Sequence, residues 1–134
     1  MVHLDETQGS CSGLHILDFT TVVSGPTCTQ GLGDLGADVI KVEPLSGDMS
    51  RTTSGPFYSG LSGFFTQFNR NKRSLALDLK SPSGREVVKR LVTQCDVLVE
   101  NFRPDVMDRL GIGWDVLRSL HPDLIYVSIS GFGP

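Results

Sequence analysis

The chain has 134 residues, of which 39% are hydrophobic and 20% charged, and its formal net charge is -3 at pH 7. This length can bury one hydrophobic core, which predicts a single domain. The acidic balance argues against general nucleic-acid or anionic-membrane binding, and no apolar stretch approaches the roughly 20 residues of a bilayer-spanning helix.

The cysteines and the first residues bear on the cellular compartment. Cys11, Cys28 and Cys95 are odd in number and have no zinc-like spacing, which predicts free thiols, no metal site and a reducing environment. Residues 1–13 form a polar leader that carries acids where a targeting peptide carries bases. We expect a cytoplasmic protein, with mitochondrial and peroxisomal locations left open.

The first half of the chain predicts a strand, a helix and a strand. Residues 14–19 form the first strand, Pro26 opens a helix that Gly36 can close, and residues 38–42 form the second strand. Residues 44–63 are rich in glycine, serine and proline and lack a clear period, so they predict a long functional loop.

The second half continues the alternation of strands and helices. Residues 75–79 predict a third, buried strand, and Ser81 caps a helix whose first turn contains Pro82. A strand, two helical turns and a last strand follow at 97–99, 106–110, 114–120 and 124–129. The pattern predicts an α/β fold, a Rossmann-like parallel sheet with helices on both faces.

Ligands of such sheets bind outside the carboxyl ends of the strands. The predicted ends are residues 20–25, 43–47, 80, 101–104 and 131 onward. Gly31 to Gly36 spells a G-x-G-x-x-G motif but lies at the end of a helix, which predicts helix packing and a C-cap in place of a dinucleotide site. Ser24-Gly25-Pro26 is the turn in which backbone could approach a ligand.

The segment from Phe68 to Lys80, called the basic segment below, concentrates positive charge. Its cations are Arg70, Lys72, Arg73 and Lys80, placed at the two ends of the predicted third strand. Fixed cations at strand ends suit a phosphorylated ligand. A solvated sheet edge explains the first three equally well, and spacing alone does not choose.

Several motifs recur in a recognisable order: N-R-N-K-R-S at 69–74, V-E-N-F-R-P at 99–104 and G-F-G at 131–133. From Gly13 onward the sequence resembles the N-terminal part of family III CoA-transferases of the formyl-CoA and carnitine type. The resemblance implies transfer of CoA between an acyl-CoA thioester and a carboxylic acid, and an interlocked homodimer for the full-length family. An alpha-methylacyl-CoA racemase-type fragment and a non-catalytic CoA-binding or interaction module are the alternatives.

The resemblance also implies which residues bind coenzyme A. They are Val23, Ser24, Arg73, Leu77, Asp78, Leu79, Lys80, Asn101, Phe102, Arg103 and Arg109. Many relatives have an arginine directly after the I-K-V-E strand, where this chain has Pro44. Either Arg51 or Arg73 therefore substitutes for it, or nucleotide affinity is weaker.

The resemblance places the nucleophilic aspartate of the transferases some tens of residues beyond the G-F-G segment. Residues 14–134 are therefore expected to form a CoA-binding domain that precedes this aspartate and is incomplete relative to the full family fold. We expect no catalytic residue in the chain, no activity from it alone, and exposed apolar surface.

Overall fold

The structure is a computed structural model that describes residues 9–53 and 55–133. Its main feature is a five-stranded sheet in which every neighbouring pair is parallel. In chain order the strands of the protein are β1 His15–Asp18, β2 Asp38–Glu43, β3 Phe57–Tyr58, β4 Leu61–Ser62, β5 Lys72–Ala76, β6 Val97–Glu100 and β7 Ile125–Ser128. The order across the sheet is β5-β2-β1-β6-β7, while β3 and β4 form a separate antiparallel hairpin.

Helices cover both faces of the sheet. They are α1 Ser24–Asp34, α2 Ser50–Thr53, α3 Gly63–Asn69, α4 Pro82–Val92, α5 Val106–Arg109 and α6 Trp114–Leu120. On one face, Val88 of α4 and Leu117 of α6 pack with Leu17 and Leu98 of the central strands. On the other face, strand residues including Val39 pack against α1. The predicted Rossmann-like α/β fold is confirmed.

The end of α1 explains the second half of the G-x-G-x-x-G sequence. Gly36 has a φ of 99°, which favours glycine, and its N–H donates to the Gly33 carbonyl at 3.0 Å. The Ala37 N–H donates to the Leu32 carbonyl at 3.0 Å, which completes a Schellman motif. The start of this helix differs from the prediction, since α1 begins at Ser24, two residues before Pro26.

The prediction for the third strand was wrong in position and in burial. β5 spans Lys72–Ala76 and lies at the edge of the sheet, so its residues are half-buried or exposed, except for the buried side chain of Lys72. The alternating apolar residues that suggested a buried strand include Leu77 and Leu79, which lie beyond the strand and pack partly buried against the core. The pairing of β5 with β2, which is distant in the chain, sets the register and the bounds of β5. The local alternation of apolar residues does not reveal this pairing.

The long loop predicted over residues 44–63 was also wrong, because its described part contains α2, β3 and β4. These elements are only two to four residues long, so they carry no periodic signal. The N-terminal leader can be compared only from residue 9 onward, where the Cys11 N–H donates to the Leu35 carbonyl at 2.9 Å. Among the described residues, no helix combines the length and apolar character needed to cross a membrane.

Candidate functional site

A cleft of about 610 Å³ opens at the carboxyl edge of the sheet. Its walls come from the chain after β1, β2, β5 and β6, and most of its lining is apolar. The lining residues are Phe19, Thr21, Val42, Glu43, Pro44, Leu45, Ser46, Leu77, Asp78, Leu79, Lys80, Phe102, Val106 and Leu110. Five of the predicted site residues are therefore brought together here, namely Leu77, Asp78, Leu79, Lys80 and Phe102.

One wall of the cleft is a turn that follows β5. The Asp78 carboxylate accepts a hydrogen bond from the Lys80 N–H at 2.9 Å, and the Asp78 carbonyl accepts one from the Ser81 hydroxyl at 2.8 Å. Ser81 in turn caps α4 by accepting the Gly84 N–H at 3.0 Å. This local network fixes the backbone and leaves the Lys80 side chain exposed at the cleft.

The turn between β1 and α1 contributes Thr21 to the cleft wall, while Val23 and Ser24 of the same turn line neither this cleft nor the smaller cavity described below. Both residues are exposed, and α1 begins without a side-chain cap. The first N–H groups of a helix favour anions, so an uncapped start beside a cleft is a suitable position for a phosphate. Gly25 is required here because a Cβ would lie 2.3 Å from the Thr20 Cβ.

The residues after β6 lie between the cleft and a second cavity of about 280 Å³. The Phe102 N–H donates to the buried Glu100 carboxylate at 2.8 Å, and Phe102 contributes to the lining of both cavities. Arg103 lines the smaller cavity. Asn101 lines neither of the two; its side-chain amide bonds the backbone of Thr21.

Arg109 lies at the end of α5, between two residues of the cleft wall. Val106 and Leu110 line the cleft one helical turn apart, while Arg109 is exposed. Arg109 itself lines neither cavity, but its neighbours in α5 place it at the same edge of the sheet as Lys80 and Arg103. Within the described ranges, none of these three cations has a carboxylate within ion-pair distance.

Two other cations of the basic segment, Arg70 and Arg73, form ion pairs with acids at the amino end of the sheet. Arg73 pairs with Asp38, the first residue of β2, and Arg70 pairs with Asp34 at the end of α1. Arg73 is thus separated from the cleft residues by the length of β5. Its predicted role in coenzyme binding stays a prediction that this placement disfavours.

Lys72 has a different environment, since its side chain is only 2% exposed. Its ammonium lies 2.9 Å from the Asp18 carboxylate and donates to the Pro26 carbonyl at 2.9 Å and to the Asn69 side chain at 3.0 Å. Burial lowers the pKa of Lys72, although the Asp18 charge opposes this effect. Lys72 therefore holds β5, β1 and α1 together and is not available to a ligand.

Pro44 lies in the cleft wall, and neither proposed substitute for an arginine at that position is free. The Arg51 guanidinium makes two hydrogen bonds of 2.7 Å to Glu43 and stacks on Phe65 at 3.9 Å. Arg73 is paired at the other end of the sheet. Neither arginine therefore supplies a free positive charge beside Pro44.

Glu43 is a buried carboxylate held ionised by its neighbours. Burial alone would raise the pKa of Glu43, but hydrogen bonds from Arg51, the Asp48 N–H and the Ser74 hydroxyl lower the pKa to about 2. Asp48 is buried too; burial opposes its ionisation, yet hydrogen bonds from Ser50 and Lys41 lower its pKa. These contacts tie the segment after β2 to the sheet.

Sequence reasoning did not assign several apolar residues of the cleft, including Phe19, Val42, Val106 and Leu110. Phe19 and Val42 are the last apolar residues near the ends of β1 and β2. Val106 and Leu110 are four residues apart on a predicted helical turn. That spacing was the available signal. Among the described residues, no group of three or more histidine, cysteine, aspartate or glutamate side chains could hold a metal ion.

Comparisons with known proteins cover nearly all of the described chain. The sequence model of "CoA-transferase family III" matches residues 11–134. A formyl-CoA:oxalate CoA-transferase of Rhodopseudomonas palustris (strain BisB18) is 54% identical over 92% of this chain, and that of Afipia carboxidovorans is 52% identical over the same share. The chain spans only 29% of the length of each of these relatives.

Solved structures agree with this match. A CAIB/BAIF family protein from Brucella suis superposes with a TM-score of 0.90 at 41% identity, over 95% of this chain and 35% of its own. The protein Rv3272 from Mycobacterium tuberculosis gives a TM-score of 0.86 at 41% identity, over 94% of this chain and 36% of its own. A family match over residues 11–134, similar relatives and a shared fold lead to one conclusion: the chain belongs to CoA-transferase family III.

Proposed function

We propose that this chain binds the CoA moiety of an acyl-CoA in the cleft at the carboxyl edge of its sheet. One observation carries the proposal: Lys80 lines the apolar cleft, Arg109 is next to the cleft residue Leu110, Arg103 lines the adjoining cavity, and none of these cations has an acidic partner among the described residues. In contrast, the five cations from Lys41 to Arg73 are all paired with acids.

The chemistry of coenzyme A fits these two features. Its adenine and pantetheine parts offer surface for apolar walls, while its pyrophosphate and ribose phosphate need fixed positive charge or backbone N–H groups. Lysine and arginine side chains that are already neutralised by carboxylates cannot supply that charge. The uncapped start of α1 adds backbone donors at the same edge.

We further propose that the chain supplies this binding surface to a transferase that moves CoA between a thioester and a carboxylic acid. The two relatives that are 52–54% identical carry the name of such an enzyme, which favours transfer over racemisation. Formyl-CoA and oxalate, the substrates in that name, are therefore the first pair to test. No acid of the described cleft is assigned as a nucleophile, so we expect binding without turnover from these 134 residues.

Calorimetric titration of CoA into the 134-residue chain tests the binding proposal. Arg109→Ala should weaken CoA binding about tenfold, the loss expected for one charge-assisted contact. The matched control is Arg90→Ala, which removes an exposed arginine from α4 without touching the cleft. The proposal would be contradicted if a wild-type chain that melts cooperatively gave no heat of CoA binding. Equal losses of CoA affinity in Arg109→Ala and Arg90→Ala would also contradict it.

A further inference from the structure

The turn between β1 and α1 is held by side chains from three directions. The Thr20 N–H donates to the Asp18 carboxylate at 2.8 Å, and the Thr20 carbonyl accepts from the buried Lys41 ammonium at 2.7 Å. The Asn101 side chain then binds Thr21 twice, accepting from its N–H at 2.8 Å and donating to its carbonyl at 2.9 Å. The backbone of both threonines is thus fixed before any ligand arrives.

The next residue of this turn adopts an unfavourable backbone conformation. Val22 has a φ of 70°, in the left-handed region that β-branched residues rarely occupy. Such a conformation persists only where the surroundings over-determine it. Directly before Val22, the constraint is the pair of hydrogen bonds between Asn101 and Thr21; directly after it, the Val23 carbonyl accepts from the Thr27 N–H at 2.8 Å and from the Thr27 hydroxyl at 2.7 Å.

We propose that Asn101 is a positioning residue for coenzyme binding: its amide holds the strained β1–α1 turn in the conformation that meets CoA. This inference rests on the function proposed above. Thr21 lines the cleft and Asn101 does not. The hydrogen bonds between them therefore fix the turn after β1 relative to the chain after β6.

The geometry favours positioning over direct contact. One donor and one acceptor of the Asn101 amide already serve the Thr21 backbone. The following residue, Phe102, is anchored separately through the Glu100 carboxylate and faces the cleft. Asn101 therefore joins two walls of the cleft, and its loss should release the turn while Phe102 stays in place.

Two variants and one control test the proposal, each measured for CoA affinity and for thermal midpoint. Asn101→Ala should weaken CoA binding roughly tenfold and speed exchange of the Thr21 amide in the unliganded protein. Val22→Gly should raise the thermal midpoint, because glycine tolerates the positive φ, and yet weaken CoA binding several-fold, because it frees the turn. Val92→Ala, in the core at the far end of α4, should lower the midpoint and leave CoA affinity unchanged.

The opposite movement of stability and affinity in Val22→Gly is the result that a purely structural role would not produce. If Asn101→Ala does not fold, Val22→Gly alone decides the question. Wild-type affinity in both turn variants, or unchanged exchange at Thr21 in a folded Asn101→Ala protein, would overturn the positioning role while CoA binding stands. A folded wild-type chain that does not bind CoA would overturn both proposals.

Discussion

The ammonium of Lys72 lies 2.9 Å from the carboxylate of Asp18, with side-chain exposures of 2% and 0%. Removing one partner of a buried ion pair leaves the other charge uncompensated, so Lys72→Met should lower the free energy of unfolding by about 3–5 kcal/mol. Urea denaturation measures this loss. Lys89→Met, on the outer part of α4, is the control and should change stability by about 0.5 kcal/mol or less. Similar values for the two variants would contradict the buried role of Lys72.

Acid sensitivity should follow from Glu43, whose pKa is lowered to about 2 from a reference value of 4.5. Above pH 4.5 both folded and unfolded states are ionised and the stabilisation is complete. As the pH falls from 4.5 to 2, the unfolded state takes up the proton first, and about 3 kcal/mol of stability is lost. Below pH 2 both states are protonated and the contribution has vanished.

Glu43→Gln should flatten this part of the pH profile, measured as urea midpoints at successive pH values. Some dependence should remain, because the pKa of Asp48 is also lowered. A profile with the wild-type slope between pH 4.5 and 2 would show that Glu43 is not held ionised by Arg51 and its other partners.

Two cations of the basic segment should differ in their effect on coenzyme binding. Lys80→Ala removes a cation of the cleft wall and should weaken CoA binding about tenfold. Arg73→Ala removes a cation paired with Asp38 at the amino end of the sheet and should change the affinity by less than about twofold. Calorimetry measures the CoA affinity of both variants. A larger loss of affinity in Arg73→Ala than in Lys80→Ala would place Arg73 in the coenzyme site and contradict the location proposed for that site.

The contrast between Arg73 and Lys80 shows which parts of the candidate site could be predicted from the sequence and which could not. The alternation of strands and helices predicted the parallel sheet, and its carboxyl ends predicted where Leu77–Lys80 and Phe102 come together. From charge alone, Lys72, Arg73 and Lys80 were predicted to form one surface for a phosphorylated ligand. The groups that separate them, Asp18 and Asp38, are 54 and 35 residues distant in the chain, and such non-local pairing leaves no local pattern.

The segment after β2 shows a second limit. Its elements, α2 and the β3–β4 hairpin, are too short for periodicity. Contacts with β2 place α2, namely hydrogen bonds from Asp48 and Arg51 to Glu43 and the Lys41–Asp48 pair. α3 left a detectable signal that was not used: Phe64 and Phe68 are four residues apart and form an edge-to-face pair with ring centroids 5.2 Å apart.

The location of the coenzyme site is the central claim, and amide chemical-shift mapping by NMR during a CoA titration tests it most directly. The largest shifts should fall at the carboxyl edge of the sheet, in residues 21–24, 77–80 and 101–103 and around Arg109. Amides at the amino end, near Arg73 and Asp38, should move little. Shifts concentrated at that amino end, or none at saturating CoA, would contradict the account.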